Sequence, residues 1–128
     1  MTLPIAFLYG CQGCKLSGSL KGGGIFIHDA KGRVEACELA QNALAGIECK
    51  GPSGGWVFSD CIVRDNASAG AFIHAAAKGT FERCRMLNNS TSADVRDAGT
   101  HPAFIECNFS EGRKYGVKVL ISLRNRRV

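Results

Sequence analysis

Five short stretches of the chain place an apolar residue at every second position. They are Gly24-Ile25-Phe26-Ile27-His28, Gly46-Ile47-Glu48-Cys49-Lys50, Gly70-Ala71-Phe72-Ile73-His74, Ser92-Ala93-Asp94-Val95-Arg96 and Gly116-Val117-Lys118-Val119-Leu120. Alternation at period two marks a strand buried on one face, because successive side chains point to opposite sides. It sends Ile25 and Ile27, Ile47 and Cys49, Ala71 and Ile73, Ala93 and Val95, and Val117 and Val119 inward. Phe26, Glu48, Phe72, Asp94 and Lys118 then face outward, and two residues further on so do His28, Lys50, His74 and Arg96.

Three more columns keep the same rhythm. Cys14, Cys37, Cys61, Cys84 and Cys107 lie 23, 24, 23 and 23 residues apart. Three residues before them stand Cys11, Val34, Phe58, Phe81 and Phe104, and two residues after them Leu16, Leu39, Val63, Met86 and Phe109. The columns on either side of the bend have opposite parity, and one straight strand cannot turn both inward. The chain must bend between them. Each unit therefore carries three short strands, and no stretch shows the roughly 10 to 12 residues of 3.6 periodicity that a helix requires. The units are turns of a three-sided solenoid.

Stacked coils lie about 4.8 Å apart, so like residues sit over like. Ser19, Asn42, Asn66, Asn89 and Gly112 follow the cysteines by five residues. The three asparagines are expected to pass amide hydrogen bonds from coil to coil at a tight turn, where asparagine also tolerates left-handed backbone. The cysteines are expected to be small apolar fillers. Their parallel Cβ vectors suit a disulfide poorly.

Gly-Ile-x-Ile, followed by Val/Phe-x-x-Cys-x-Leu-x-x-Asn, resembles the right-handed parallel β-helix repeat of pectate-lyase-like proteins. Phe81-Glu82-Arg83-Cys84 is similar to the β-helix regions of F-box-type and related intracellular proteins. The resemblance spans about residues 8–120. It implies an all-β fold, a single-stranded right-handed parallel β-helix of about five coils of 22–24 residues, in one domain over residues 1–128. It implies no single activity, because lyases, hydrolases, epimerases and non-enzymes share such repeats. Five coils make a barrel only about 24 Å long, with core and strand edges open at both ends. Residues 1–9 and 121–128 are the expected caps. The alternative is an end packed on a partner chain or on a second copy, and at least one end is expected to be an interface.

Length and composition narrow the reading a little. The 128 residues suit one domain, and 45% hydrophobic with 21% charged residues is an ordinary globular balance. Part of the net charge of +5 sits in Arg124, Arg126 and Arg127. Such a cluster reads as a solvated basic tail and argues weakly for nucleic acid. The apolar start at Leu3 lacks a basic leader and runs into the first repeat. No apolar run reaches the roughly 18 residues of a membrane span. Seven cysteines without a leader point to reduced thiols in a cytoplasmic or nuclear setting.

Candidate chemistry is sparse. Cys11-x-x-Cys14 is accounted for by two columns of the repeat, and no second ligand pair lies at zinc-binding spacing. No metal and no cofactor are expected. The outward columns are more informative: His28, Lys50, His74 and Arg96 would form a positive stripe beside Phe26 and Phe72, with Glu48 and Asp94 among them. Such a stripe suits an acidic sugar, a phosphate or an acidic peptide. The bland reading is an ordinary polar strand face, partly neutralised by Glu48, Asp94, Asp29 and Asp97. A glycoside hydrolase needs two facing carboxylates, and a calcium-dependent lyase needs several beside an arginine. Asp94, Asp97 and Arg96 give only a minimal version, so no catalytic residue is assigned. Asp60 and Asp65 are read as turn caps. Trp56, the sole tryptophan, follows a loop with extra residues and is expected to lie flat over the flank of the barrel, with an interface anchor as the alternative.

These readings converge on a non-catalytic binding or scaffold module. Its partner would be a protein, or a second copy meeting a barrel end, with an acidic ligand as a further option. The alternative is a carbohydrate-active, pectate-lyase-like protein that binds or cleaves an acidic glycan. A third reading makes the chain a subunit of a larger assembly.

Overall fold

The computed structural model describes residues 2–3, 8–52, 55–110, 112–113 and 115–120, with side chains from residue 12 onward except at 115 and 117–120. Each coil gives one strand to each of three parallel sheets. The first sheet holds β1 (Thr2–Leu3), β4 (Ile25–His28), β7 (Ile47–Lys50), β10 (Ala69–His74), β13 (Thr91–Arg96) and β16 (Tyr115–Leu120). The second holds β2 (Leu8–Gln12), β5 (Lys31–Glu35), β8 (Trp56–Ser59), β11 (Lys78–Glu82) and β14 (His101–Ile105). The third holds β3 (Lys15–Ser17), β6 (Glu38–Ala40), β9 (Ile62–Arg64), β12 (Arg85–Leu87) and β15 (Asn108–Ser110). Four complete turns run from β4 to β15, with β1–β3 before them and β16 after. The expected count of about five coils is off only by these incomplete turns. Of residues 1–9, those described run as rungs in β1 and β2. The rest of that segment, and residues 121–128, lie outside the described residues.

The columns of the sequence are the registers of the sheets. Ile25, Ile47, Ala71 and Ala93 stack in the first sheet, Val34, Phe58, Phe81 and Phe104 in the second, and Leu39, Val63, Met86 and Phe109 in the third. The inward residues of β4, β7, β10 and β13 are all buried. In the second sheet the phenylalanine rings stack, with centroids 5.3 Å apart for Phe58–Phe81 and 5.0 Å for Phe81–Phe104.

The bends on either side of the third sheet are each a single left-handed residue. Before the cysteines, Gly13, Ala36, Asp60, Arg83 and Glu106 have φ of 66°, 51°, 54°, 50° and 53°. Before the asparagine column, Gly18, Gln41, Asp65 and Asn88 have φ of 76°, 57°, 56° and 52°. The left-handed residue is thus the one preceding Asn42, Asn66 and Asn89, not the asparagine itself. That offset corrects the expectation and frees the asparagine side chains to point into the barrel. A left-handed non-glycine residue costs about 1–2 kcal/mol. The coil-to-coil ladder offsets it, because these residues still donate their N–H groups to the next coil. Ala36 N donates to Ser59 O at 3.0 Å, Asp60 N to Glu82 O at 2.9 Å and Arg83 N to Ile105 O at 2.8 Å.

Trp56 overturns the expectation of a flank position. Its side chain is 1% exposed and packs edge-on against Phe58 and Phe81, at 5.6 and 5.3 Å. The reason is parity and room. Trp56 and Phe58 are two apart on β8, so both point inward, and the registered neighbours of Trp56 are Gly32 and Gly79. A Cβ on Gly79 would lie 2.4 Å from Cδ2 and Cε2 of the indole. The glycines make the space that the tryptophan fills.

The asparagine column forms the expected ladder inside the barrel. Asn42 Nδ2 donates to Asn66 Oδ1 at 3.0 Å, and Asn66 Nδ2 to Asn89 Oδ1 at 2.9 Å. Each carboxamide oxygen also accepts the backbone N–H of the preceding rung, and each Nδ2 reaches a main-chain carbonyl, Leu16, Leu39 or Val63. Glycines at 46 and 70 are needed beside it, since a Cβ there would meet Asn66 or Asn89 Nδ2 at 2.7 or 2.8 Å. Where the ladder ends at Gly112, the matching glycine is replaced by Ser92. Its buried Oγ has no hydrogen-bond partner among the described residues.

The cysteines are core. Cys37, Cys49, Cys61 and Cys84 are buried, Cys14 and Cys107 are half-buried, and all six are free thiols. The column sulfurs sit over carbonyls at the bend, such as Cys61 Sγ to Ser59 O at 3.4 Å and Cys107 Sγ to Phe81 O at 3.3 Å. Burial raises the Cys49 thiol well above its usual pKa. Cys61 is raised by its hydrogen bond with Cys84 and then by burial, while the same bond lowers Cys84. The two thiols titrate as a pair. A thiol whose folded pKa is raised contributes stability below its unfolded value, and that contribution is lost as pH rises past it. The urea midpoint is therefore expected to fall as pH rises beyond about 8.5, the ordinary thiol value. Cys49→Ala should show a shallower alkaline fall than the wild type. Equal slopes would contradict the assignment.

Candidate functional site

The outward face of the first sheet gathers all eight side chains singled out by the sequence. Phe26, Glu48, Phe72 and Asp94 stand in one registered column, with the backbone of Lys118 continuing it. His28, Lys50 and His74 form the next, and Arg96 extends it through β13. All are at least partly exposed, as strict alternation on β4, β7, β10 and β13 requires.

The electrostatics differ from a stripe of one sign. His74 Nε2 lies 2.8 Å from Glu48 Oε2, and the imidazole stacks on Phe72 at 4.2 Å and 11°. Arg96 donates from Nε and Nη2 to the two carboxylate oxygens of Asp94 at 3.1 and 3.0 Å. That pairing raises the guanidinium pKa. The same guanidinium carbon sits 5.5 Å from the Phe72 centroid. His28 stacks on Phe26 at 6.3 Å, with Asp29 Oδ2 3.9 Å from its Nε2. Lys50 is exposed and makes no ion pair among the described residues. Alternation fixed which way these side chains point. It did not show that carboxylates one column over would take up the cations. The face is a chequerboard of aromatic rings and opposite charges, interlocked around Phe72.

Asp97 makes no ion pair or hydrogen bond with Arg96 among the described residues, although its charge adds to that of Asp94 in raising the guanidinium pKa. Its carboxylate accepts the Ala75 N–H at 2.8 Å and so closes a turn of the preceding coil. Asp97 thus serves the turn, while Asp94 alone pairs directly with Arg96. Among the described residues no group of three His, Cys, Asp or Glu side chains is placed to hold a metal ion. Asp60 and Asp65 occupy left-handed bend positions and tie coils together, Asp60 through Arg83 at 2.9 and 3.2 Å and Asp65 through Asn88 at 2.7 Å, while the adjacent Arg64 also pairs with Asp65. These partners hold both carboxyls below the usual aspartate range.

One part of the face was not read from the sequence. Beside Phe26 and Glu48 lies a cavity of about 250 Å³, walled by Ser19, Gly22, Gly23, Leu44 and Ala45. The wall is made by two stacked loops, tied by Leu44 N to Gly22 O at 3.0 Å and Ala43 N to Ser19 O at 2.9 Å. Leu20 and Leu44 project from these loops, 91% and 52% exposed. The available signal was compositional. Leu20 stands where later coils have Ala43, Ala67, Ser90 and Arg113, and Leu44 where they have Ser68 and Thr91.

With strands, bends and ladders in place, the match to a known family is decisive: residues 7–126 fit the family described as right handed beta helix region. The chain belongs to that family. No curated protein and no solved structure matches it. Family membership accounts for the three-sheet coil. It assigns no activity, since function on such a fold lies in the side chains displayed.

Proposed function

We propose that this β-helix is a non-catalytic binding or scaffold module whose main contact surface is the outer face of the first sheet. The observation that carries the reading is the interlocked set around Phe72. Glu48 with His74, and Asp94 with Arg96, form a rigid surface of aromatic rings and paired charges. A partner meets it without having to freeze long side chains, and such preorganisation favours affinity. A general acid or base needs a titratable group presented to substrate, whereas here both carboxylates are engaged by neighbours.

The barrel end at β14 and β15 is a second contact in this reading. Those strands are the last rungs of their sheets among the described residues. Phe104, Cys107 and Phe109 are half-buried there, and Ile105 is 46% exposed. Open edges and exposed core at a solenoid end favour packing on another chain or a second copy. Six free thiols go with a reducing, cytoplasmic or nuclear setting, and with the resemblance to F-box-type β-helix regions.

The pectate-lyase-like alternative, an acidic glycan bound or cleaved on the same face, draws on Lys50, His28 and the two phenylalanines. Glu48 and Asp94 oppose an anionic chain in the same columns, so protein contact is preferred. The test compares partners captured by the wild type with those captured by Phe72→Ala/Arg96→Ala, and by Arg83→Ala on a bend outside the face. Loss of a partner in the first variant and retention in the second is expected. Retention in both, or turnover of an acidic polysaccharide, would overturn the reading.

A further inference from the structure

The outer face of the first sheet repeats one arrangement two coils apart, and the two copies differ in two side chains, Glu48 for Asp94 and Lys50 for Arg96. In the first copy the Arg96 guanidinium lies over Phe72 and pairs with Asp94 in both its oxygens. Two coils earlier the same positions hold Phe26, Glu48 and Lys50. Phe26 and Glu48 are registered as Phe72 and Asp94 are, but among the described residues no guanidinium lies over Phe26. Glu48 gives Oε2 to His74, and its Oε1 makes no hydrogen bond among the described residues. The 250 Å³ cavity opens at this point, with Phe26 and Glu48 on its lining.

We propose that this cavity receives an arginine side chain from a protein partner, setting a guanidinium against Phe26 and Glu48 as Arg96 sets one against Phe72 and Asp94. The inference rests on the reading of the first-sheet face as a contact surface, and it names the chemistry of the partner. A planar guanidinium satisfies both walls at once, its face on the phenyl ring and its N–H edge on the carboxylate. An ammonium offers no flat face to the ring. The rim identifies the source as a protein segment and not a free small cation. Leu20 and Leu44 are exposed apolar side chains that apolar residues flanking the arginine would cover. Exposed Lys21 and Lys50 bring positive charge near the rim. Recognition therefore depends on direct contact with Glu48, not on long-range attraction.

The test titrates the isotope-labelled full chain with acetyl-Leu-Arg-Leu-amide and with its citrulline counterpart, following backbone amide resonances. The arginine peptide is expected to give saturable shifts at Gly22, Gly23, Phe26, Ala45 and Glu48. Citrulline in the peptide, or Glu48→Gln in the protein, should weaken binding about tenfold, the loss of one charge-assisted contact. Equal binding of the citrulline peptide, or shifts centred elsewhere, would each overturn the proposal. If the peptide fails while capture still depends on Phe72 and Arg96, the arginine pocket alone is wrong. Loss of both results removes the contact face as well.

Discussion

Replacing Asn66 by leucine is expected to destabilise the β-helix by about 3–5 kcal/mol, since each buried polar group left without a partner costs about 1–3 kcal/mol. Asn66 is the middle rung of the ladder. Its Oδ1 accepts from both Asn42 N and Asn42 Nδ2, and its Nδ2 donates to Asn89 Oδ1 and Leu39 O. Leucine leaves two donors on Asn42 and an acceptor on Leu39 buried and unpaired. Asn66→Asp sharpens the point. It keeps the acceptor for Asn42 but turns an oxygen toward Asn89 Oδ1 and Leu39 O. That variant is expected to be unstable at neutral pH and to recover partly on acidification, when the carboxyl regains a proton to donate. Urea unfolding at two pH values measures both. A leucine variant within about 0.5 kcal/mol of wild type, the range of a neutral surface change, would remove the ladder from the account.

Trp56→Ala is expected to cost a similar amount, about 3–5 kcal/mol, the usual penalty for emptying a large aromatic site in a core. The more discriminating experiment couples it to Gly79. Gly79→Ala alone should cost about 1–3 kcal/mol by overpacking, because its Cβ falls 2.4 Å from a ring held rigid between Phe58 and Phe81. In the Trp56→Ala background the same change should be close to neutral, since the obstructing ring is gone. The double-mutant cycle reads the difference directly. An additive result would mean that Gly79 is conserving something other than room for the indole.

These two residues also show where the sequence was transparent and where it was not. The asparagine ladder was legible because the same residue type recurs at a fixed spacing and only one geometry lets all three carboxamides bond in series. Trp56 was misplaced because it breaks its column, standing among Gly32, Gly79 and Pro102. Counting back by two from Phe58 would have turned it inward, and the flanking glycines would have supplied the space. The left-handed bends were out of reach for another reason. Ala36, Gln41, Arg83 and Glu106 have no intrinsic preference for positive φ and adopt it because the ladder of the neighbouring coil imposes it. On the first-sheet face, periodicity told which residues point outward. The pairing of Glu48 with His74, and the stacking of Arg96 and His74 on Phe72, depend on rotamers that no column pattern encodes. The cavity beside Phe26 depends on loops between strands, where the repeat is least regular.

The central claim is that the outer face of the first sheet is the contact surface, and lysine footprinting of a captured complex tests it most directly. Each sheet carries its own exposed reporter: Lys50 on the first, Lys31 and Lys78 on the second, and Lys15 on the third. Bound partner is expected to shield Lys50 from acetylation while Lys15, Lys31 and Lys78 remain as reactive as in the free protein. Protection of Lys31 and Lys78 with Lys50 still reactive would place the partner on the second sheet and contradict the account.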